Sequence, residues 1–315
     1  MAIPQRLVIL GGTGFVGSRL MPRLAADGHQ IVLLSRNHVQ RRGLAVLPNV
    51  RLRSADVHDD QALRREFAGA DAVINLIGIL NPQGRNTFQR VHVELARRLI
   101  EACRAAGVPR LHQMSSLKAG QGLSQYLKTR GEAEVLVKQS GLDWTIYQSS
   151  VIFGEGDGLV SRFAALLRRM PALPLARARA RMAPTYVGDV AEAIARCVGQ
   201  VQSGHQRVFE LYGPEVLTLG EIVRKIRDIA GLRTPIISLP DSLGRLQAQF
   251  AELLPGKPFS LDNFRSLRTD SVGKNDGYAA LGITPQPFTP WLPVLLHKPV
   301  RQRRLDAARS RPRQH

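Results

Sequence analysis

The chain is short of several things, and each shortage removes a class of answer. Of 315 residues only two are cysteine, Cys103 and Cys197, and neither belongs to a Cys-x-x-Cys pair. A disulfide scaffold and a zinc site are thereby set aside, and a reducing compartment is expected. The eight histidines show no ligand spacing, so no metal is expected. Aromatic residues make up 5% of the chain. That is few for stacking on bases, and no nucleic-acid module is recognisable, so nucleic acid is not expected as a partner. No apolar run approaches the roughly 18 residues of a membrane-spanning helix. The first residues pass straight into an apolar run and a glycine turn, without the pattern of a secretory signal. The expected location is cytoplasmic, with a peripheral position at the inner face of the membrane compatible with it.

Acidic residues are also scarce: 25 Asp and Glu stand against 44 Lys and Arg, a formal net charge of +19. Such a surface attracts anionic lipid, nucleic acid or an acidic protein. The basic residues are spread along the chain rather than gathered in a block, so plain solvated faces remain an equal reading. Six arginines crowd the last fifteen residues, which read as a flexible basic tail over 301–315.

What is present is a repeating alternation of strand and helix. Apolar runs at 6–10, 30–34, 50–53, 72–77, 110–114 and 144–148 read as strands. Helical spacing over 15–27, 59–68, 88–106 and 124–140 separates them. The expected fold is α/β, a Rossmann-type doubly wound parallel sheet with a smaller C-terminal substrate lobe. Residues 1–150 form the dinucleotide-binding part, rejoined by about 183–212. Residues 151–300 form most of the lobe. Thr218 and Glu221 carry a capping-box signature.

The chemistry-bearing motif is LVILGGTGFVGSRL, which sets Gly11, Gly14 and Gly17 between the first strand and the first helix. Glycine there permits a tight turn, close backbone approach to a pyrophosphate, and close packing of helix on strand. The same cradle includes Thr13, Phe15 and Val16. The end of the second strand reads Ser35-Arg36, with no acid from Ile31 to Arg42. An arginine there suits the 2′-phosphate of NADP(H), where an acid would suit the ribose of NAD(H), so NADP(H) is the expected cofactor. Asp56 and Val57 after the third strand, and Leu76, Ile77 and Gly78 after the fourth, are further cofactor candidates.

Together these residues resemble the extended and atypical short-chain dehydrogenase/reductases (NAD-dependent epimerase/dehydratase-like). The resemblance rests on GGTGFVG, Asp56-Val57, NLIG at 75–78, EACRAAGVPR, MSS at 114–116, Tyr126, VIFGEGD and YVGDVAEAI, and covers about residues 6–230. NLIGIL and SQYLKTRGEAE look most like the branch containing the nucleotide-binding accessory subunit of respiratory complex I and its bacterial relatives, some of them linked to ubiquinone biosynthesis. The resemblance implies hydride transfer with Tyr126 as acid/base, Ser116 holding the substrate carbonyl, and a lysine four residues after the tyrosine that lowers its pKa and holds the nicotinamide ribose. Position 130 is arginine instead, His92 stands where asparagine is usual, and Gln148-Ser149 replace an Arg-Pro. Arg130 shares a helix face with Tyr126 and brings positive charge beside it, though its planar head is no simple substitute for an ammonium.

Two readings follow. One is an oxidoreductase acting on a small carbonyl or hydroxyl substrate through Ser116, Tyr126 and Arg130. The other is a non-catalytic cofactor-binding accessory or assembly protein of a respiratory or quinone-synthesising membrane complex. The apolar run Trp291–Leu296 before the basic tail suits an anionic membrane surface, or simply packs on the lobe.

Overall fold

A computed structural model describes residues 3–35, 47, 49–200, 205–252 and 259–296. Arg36, Arg41, Arg42 and the tail 301–315 lie outside the described residues.

Seven strands form one parallel sheet: β1 (Arg6–Leu10), β2 (Gln30–Ser35), β3 (Val50–Ser54), β4 (Ala72–Asn75), β5 (Arg110–Ser116), β6 (Asp143–Ser149) and β11 (Arg207–Leu211). Their spatial order is β3-β2-β1-β4-β5-β6-β11. Every neighbouring pair is parallel, so the chain must cross over between strands, and helices cover both faces.

The two-sided burial is written into β1. Leu7 and Ile9 point to a core shared with helix α1 (Phe15–Ala26) and helix α6 (Val187–Gly199). Val8 and Leu10 point the other way, to a core shared with α2 (Asp60–Phe67) and α3 (Leu95–Ala106). All four are fully buried. A strand that alternates between two dry faces needs apolar residues at every position. On α1, Leu20 and Leu24 lie four apart and face α6 residues such as Val190 and Ile194. Truncating one such leucine to alanine would cost roughly 2–5 kcal/mol.

The helix expected over 88–106 is not uniform. It opens as a π-helix over Gln89–Glu94 before continuing as α3. Val91, His92 and Val93 are all buried there, as are Leu95 and Ala96, and π-turns of this kind are frequent at functional sites. Gly107 ends α3 in the left-handed conformation expected of it, at φ 70°.

Beyond β6 the chain builds a lobe around a third core. Its short strands pair as β7 (Ile152–Phe153) with β10 (Thr185–Tyr186), β8 (Leu173–Ala176) with β13 (Ile236–Leu239), and β9 (Arg181–Met182) with β12 (Leu217–Thr218). Helices α5 (Leu159–Arg169), α7 (Leu219–Ile229), α8 (Asp241–Glu252) and α9 (Leu261–Ser266) surround them. The capping box of Thr218 and Glu221 opens α7. Trp291–Leu296 takes the packed alternative. Leu292 and Leu296 are buried against the lobe, and Trp291 stacks on Tyr186 at 4.3 Å. Leucines committed to that core are not available to a membrane.

Candidate functional site

The site opens at the carboxyl ends of the central strands. Gly11 follows β1 with φ +77°, and its added Cβ would sit 3.0 Å from the Ile77 amide nitrogen. Only glycine takes that turn and that closeness without strain. Gly14 caps α1 with no side-chain hydrogen bond, and the first turn of the helix holds no acid. The positive end of α1 therefore faces the site uncovered. A Cβ on Gly17 would stand 2.3 Å from the Gly12 Cα, so helix and turn touch backbone to backbone. These features form a cradle of the size and polarity a pyrophosphate requires, and the residues present fit a dinucleotide.

The second half of the site is built on helix α4 (Gln125–Lys138). Its N-terminus is capped twice. Ser124 Oγ accepts from the Leu127 amide at 3.2 Å. Asp262, from α9 far along the chain, accepts from the Gln125 and Tyr126 amides at 2.6 and 3.0 Å. The carboxylate meets both the free N–H groups and the positive end of the helix dipole. Tyr126 is thus held by its own backbone as well as by its ring. That ring lies edge-on to His92 and Phe88, with centroids 5.6 and 6.0 Å away.

Arg130 is buried one turn on. Its Nη1 donates to the Met114 carbonyl at 2.9 Å, and its Cζ sits 5.6 Å from the Tyr126 ring centroid. The guanidinium fills the space over Gly78, where an added Cβ would come within 2.0 Å of Nη2. Its Nε has no partner among the described residues. His92 Nδ1 lies 2.9 Å from Thr129 Oγ1. Burial, and then the Arg130 charge, push its pKa down to about 2, so the imidazole is neutral. Ser116 ends β5, and its hydroxyl donates to the Leu117 carbonyl at 3.3 Å. Gln148, in place of the family's arginine, donates to both carboxylate oxygens of buried Glu134 at 2.9 Å.

These elements line one cavity of about 1220 Å³. That exceeds the roughly 300–1,000 Å³ of an ordinary small-molecule pocket and leaves room for two ligands. Among the sequence candidates, Gly11, Gly14, Phe15, Val16, Gly17, Leu76, Gly78, Ser116, Tyr126 and Arg130 line it together. Thr13, Asp56, Val57 and Ile77 are not on its wall. Asp56 is exposed and accepts from the His58 amide at 3.0 Å, as a turn residue does. Val57 is buried in the core. Arg36 lies outside the described residues.

The lobe adds a deep apolar arm that sequence reading did not anticipate, lined by residues such as Phe163, Leu166, Leu173 and Met182. The charged side chains on the wall are Lys118, Arg130, Arg162 and Arg181, with no Asp or Glu among the described lining residues. The sequence reading also missed Asp262. Ser260-x-x-Asn263 carried a local helix-start signal and indeed forms a capping box. Nothing local named α4 as the target of the carboxylate between them.

The fold and the glycine cradle define an NAD(P)-binding Rossmann protein. The chain matches the NAD(P)H-binding family over residues 11–162. It is 31% identical over 244 residues to the ceramide reductase of Caulobacter vibrioides, covering 75% of this chain and 74% of that one. It is 28% identical over 218 residues to the mitochondrial NADH-ubiquinone oxidoreductase 40 kDa subunit of Neurospora crassa, covering 68% of this chain and 57% of the subunit's length. In fold it is similar to the NADPH-dependent quinone oxidoreductase of Escherichia coli solved with NADPH: TM-score 0.74, 21% identity, 92% of this chain and 100% of that one. The chain belongs to the extended and atypical short-chain dehydrogenase/reductases, the epimerase/dehydratase-like group that includes the complex I accessory subunits.

Proposed function

We propose that the protein is an NADP(H)-dependent oxidoreductase acting on a carbonyl or hydroxyl group. The observation that carries this reading is the shared wall: the glycine cradle, Ser116 and Tyr126 open into one cavity with space for a second ligand beside a dinucleotide. Gly11, Gly14 and Gly17 hold the pyrophosphate on the α1 N-terminus, and Arg36 pairs with the 2′-phosphate. The bound cofactor supplies a hydride equivalent. Ser116 orients the substrate oxygen, and the Tyr126 hydroxyl gives or takes its proton. Arg130 places a fixed positive charge beside that ring. His92, being neutral, contributes shape and no charge.

A second reading is favoured by one feature. Arg130 occupies the position of the family's lysine, and Met114 holds its guanidinium on a backbone carbonyl. A head fixed in that way is less free to hold a nicotinamide ribose than an ammonium. This suits a cofactor-binding accessory protein of a respiratory or quinone-synthesising membrane complex, which retains the cradle and not the turnover.

Titration of the purified protein with NADPH and NADH, followed by nucleotide fluorescence, tests the shared premise. Tight NADPH and weak NADH binding is expected, with the preference lost in Arg36→Ala. Equal affinity for the two would refute the role of Arg36, and no binding of either would refute the function. Tyr126→Phe then divides the two readings. Lost turnover with NADPH affinity kept identifies the oxidoreductase. A wild-type protein that reduces no carbonyl compound across a panel of short and long-chain substrates identifies the accessory protein.

A further inference from the structure

Helix α8 carries an exposed apolar stripe beside its polar flank. Its inward residues are small: Gly244 and Ala248 are buried against the lobe. A Cβ on Gly244 would already meet the Ala176 Cβ at 2.9 Å. Leu243, Leu246 and Phe250 are 50%, 47% and 65% exposed, and Ser242, Arg245 and Gln249 are exposed on the polar flank. Spacings of three and four place the three apolar side chains on one helical face. A soluble surface helix ordinarily turns such a stripe toward the core.

This face joins the cavity. Phe250 is both on the exposed stripe and on the cavity wall, with Gln247 and Ala251 beside it. On the same wall Leu80 is 65% exposed. The mouth is therefore rimmed by apolar side chains that face water, and the arm behind it is apolar too. Charge points to the partner. Arg245 stands exposed on the polar flank of the same helix, Asp241 at the helix start is neutralised by Arg177 at 2.8 Å, Glu252 closes the helix half-exposed, and the cavity wall carries four cations and no carboxylate among the described residues.

We propose that α8 docks on an anionic lipid bilayer, with Leu243, Leu246 and Phe250 among the acyl chains and the cavity mouth opening onto the membrane. The apolar arm then receives the alkyl chain of a membrane-resident substrate directly, without passage through water. The substrate part rests on the oxidoreductase reading above. The docking part does not. Apolar burial supplies the attachment, and basic residues near an anionic surface reinforce it.

The test uses the full chain with NADPH. Leu246→Cys carries an environment-sensitive fluorophore. Cys103 and Cys197 are buried, and burial raises their thiols to about 12 and about 11, so labelling is confined to position 246. Vesicles are phosphatidylcholine with or without phosphatidylglycerol, and a second set carries brominated acyl chains. The expected result is a blue-shifted, brightened label with phosphatidylglycerol vesicles, quenched by brominated chains, and no response from a label at Glu101→Cys on the exposed side of α3. Leu243→Ser/Leu246→Ser is expected to bind these vesicles at least roughly tenfold more weakly while keeping its NADPH affinity. Protein that sediments with vesicles while the label at 246 stays in water would overturn the proposal, since another surface would then be bound. Failure to bind vesicles would overturn it as well. If the label inserts but no carbonyl substrate turns over, the oxidoreductase reading fails and the docking stands.

Discussion

Two buried histidines make stability depend on mild acid. His112 on β5 is fully enclosed, its Nδ1 within 2.9 Å of the Tyr147 hydroxyl and its ring stacked on that tyrosine. Burial, and then the Arg110 charge, lower its pKa from 6.5 to about 3, while His92 falls to about 2. Between those values and 6.5 the unfolded chain binds protons that the folded chain refuses. Stability is therefore fully present above pH 6.5 and falls as the pH drops below it. From pH 7 to pH 5 each histidine should cost about 2 kcal/mol, so the pair removes about 4 kcal/mol from a fold of ordinary total stability near 5–15 kcal/mol. Urea unfolding followed by tryptophan fluorescence at a series of pH values measures this. Carboxylates titrate in the same range, so the informative quantity is a difference. His112→Gln should start less stable at pH 7 but lose about 2 kcal/mol less than the wild type on going to pH 5. Parallel curves for the two proteins would refute the assignment of a neutral, buried imidazole at 112.

Three further outcomes are expected. Gly17→Ala forces a carbon against the Gly12 backbone, so NADPH affinity should fall more than roughly tenfold and the melting temperature should drop, read by nucleotide fluorescence and thermal unfolding. Asp262→Ala strips two amide acceptors from the head of α4 and should cost about 1–2 kcal/mol in urea unfolding, with reduced turnover at unchanged NADPH affinity because Tyr126 loosens and the glycine cradle does not. Gly78→Ala should drive the Arg130 guanidinium off the Met114 carbonyl at a cost of about 1–3 kcal/mol. Part of that should return in Gly78→Ala/Arg130→Lys, a non-additive pair that a double-mutant cycle of thermal unfolding detects.

What the sequence revealed follows the range of the forces involved. The six strands β1 to β6 and the glycine turn depend on neighbours within a few residues, and a run such as RLVIL or GGTGFVG declares them locally. The seventh strand, RVFEL at 207–211, lies within the 183–212 segment expected to rejoin the dinucleotide-binding part, and only its parallel register on β6 marks it as a strand of the sheet. The π-turn at Gln89–Glu94 packs against α4 and buries three successive residues, which a single-helix periodicity hides. Asp262 reaches α4 across 136 residues, and the apolar arm is assembled from α5, β8, α8 and the loops beside them. No spacing within one segment encodes such meetings. The substitutions at 92, 130 and 148 were visible as departures. Their consequences, a neutral imidazole, a guanidinium pinned over Gly78 and an amide bound to Glu134, were three-dimensional facts.

The π-turn has a consequence for how the chain tolerates change in length. It holds one residue more than an α-helix of the same rise would need, and α3 behind it is fixed by its own buried face. Removing Glu94, an exposed residue of that turn, would let the segment relax into ordinary α-helix. Everything ahead of the cut would then keep its place, because the bulge is lost and the rise is not. Phe88 would stay against the Tyr126 ring, and only residues inside the turn, His92 among them, would change their facing. One deletion at an outward position would thus be absorbed within a single turn, re-aiming one part of the site wall and leaving both flanks of the helix where they were.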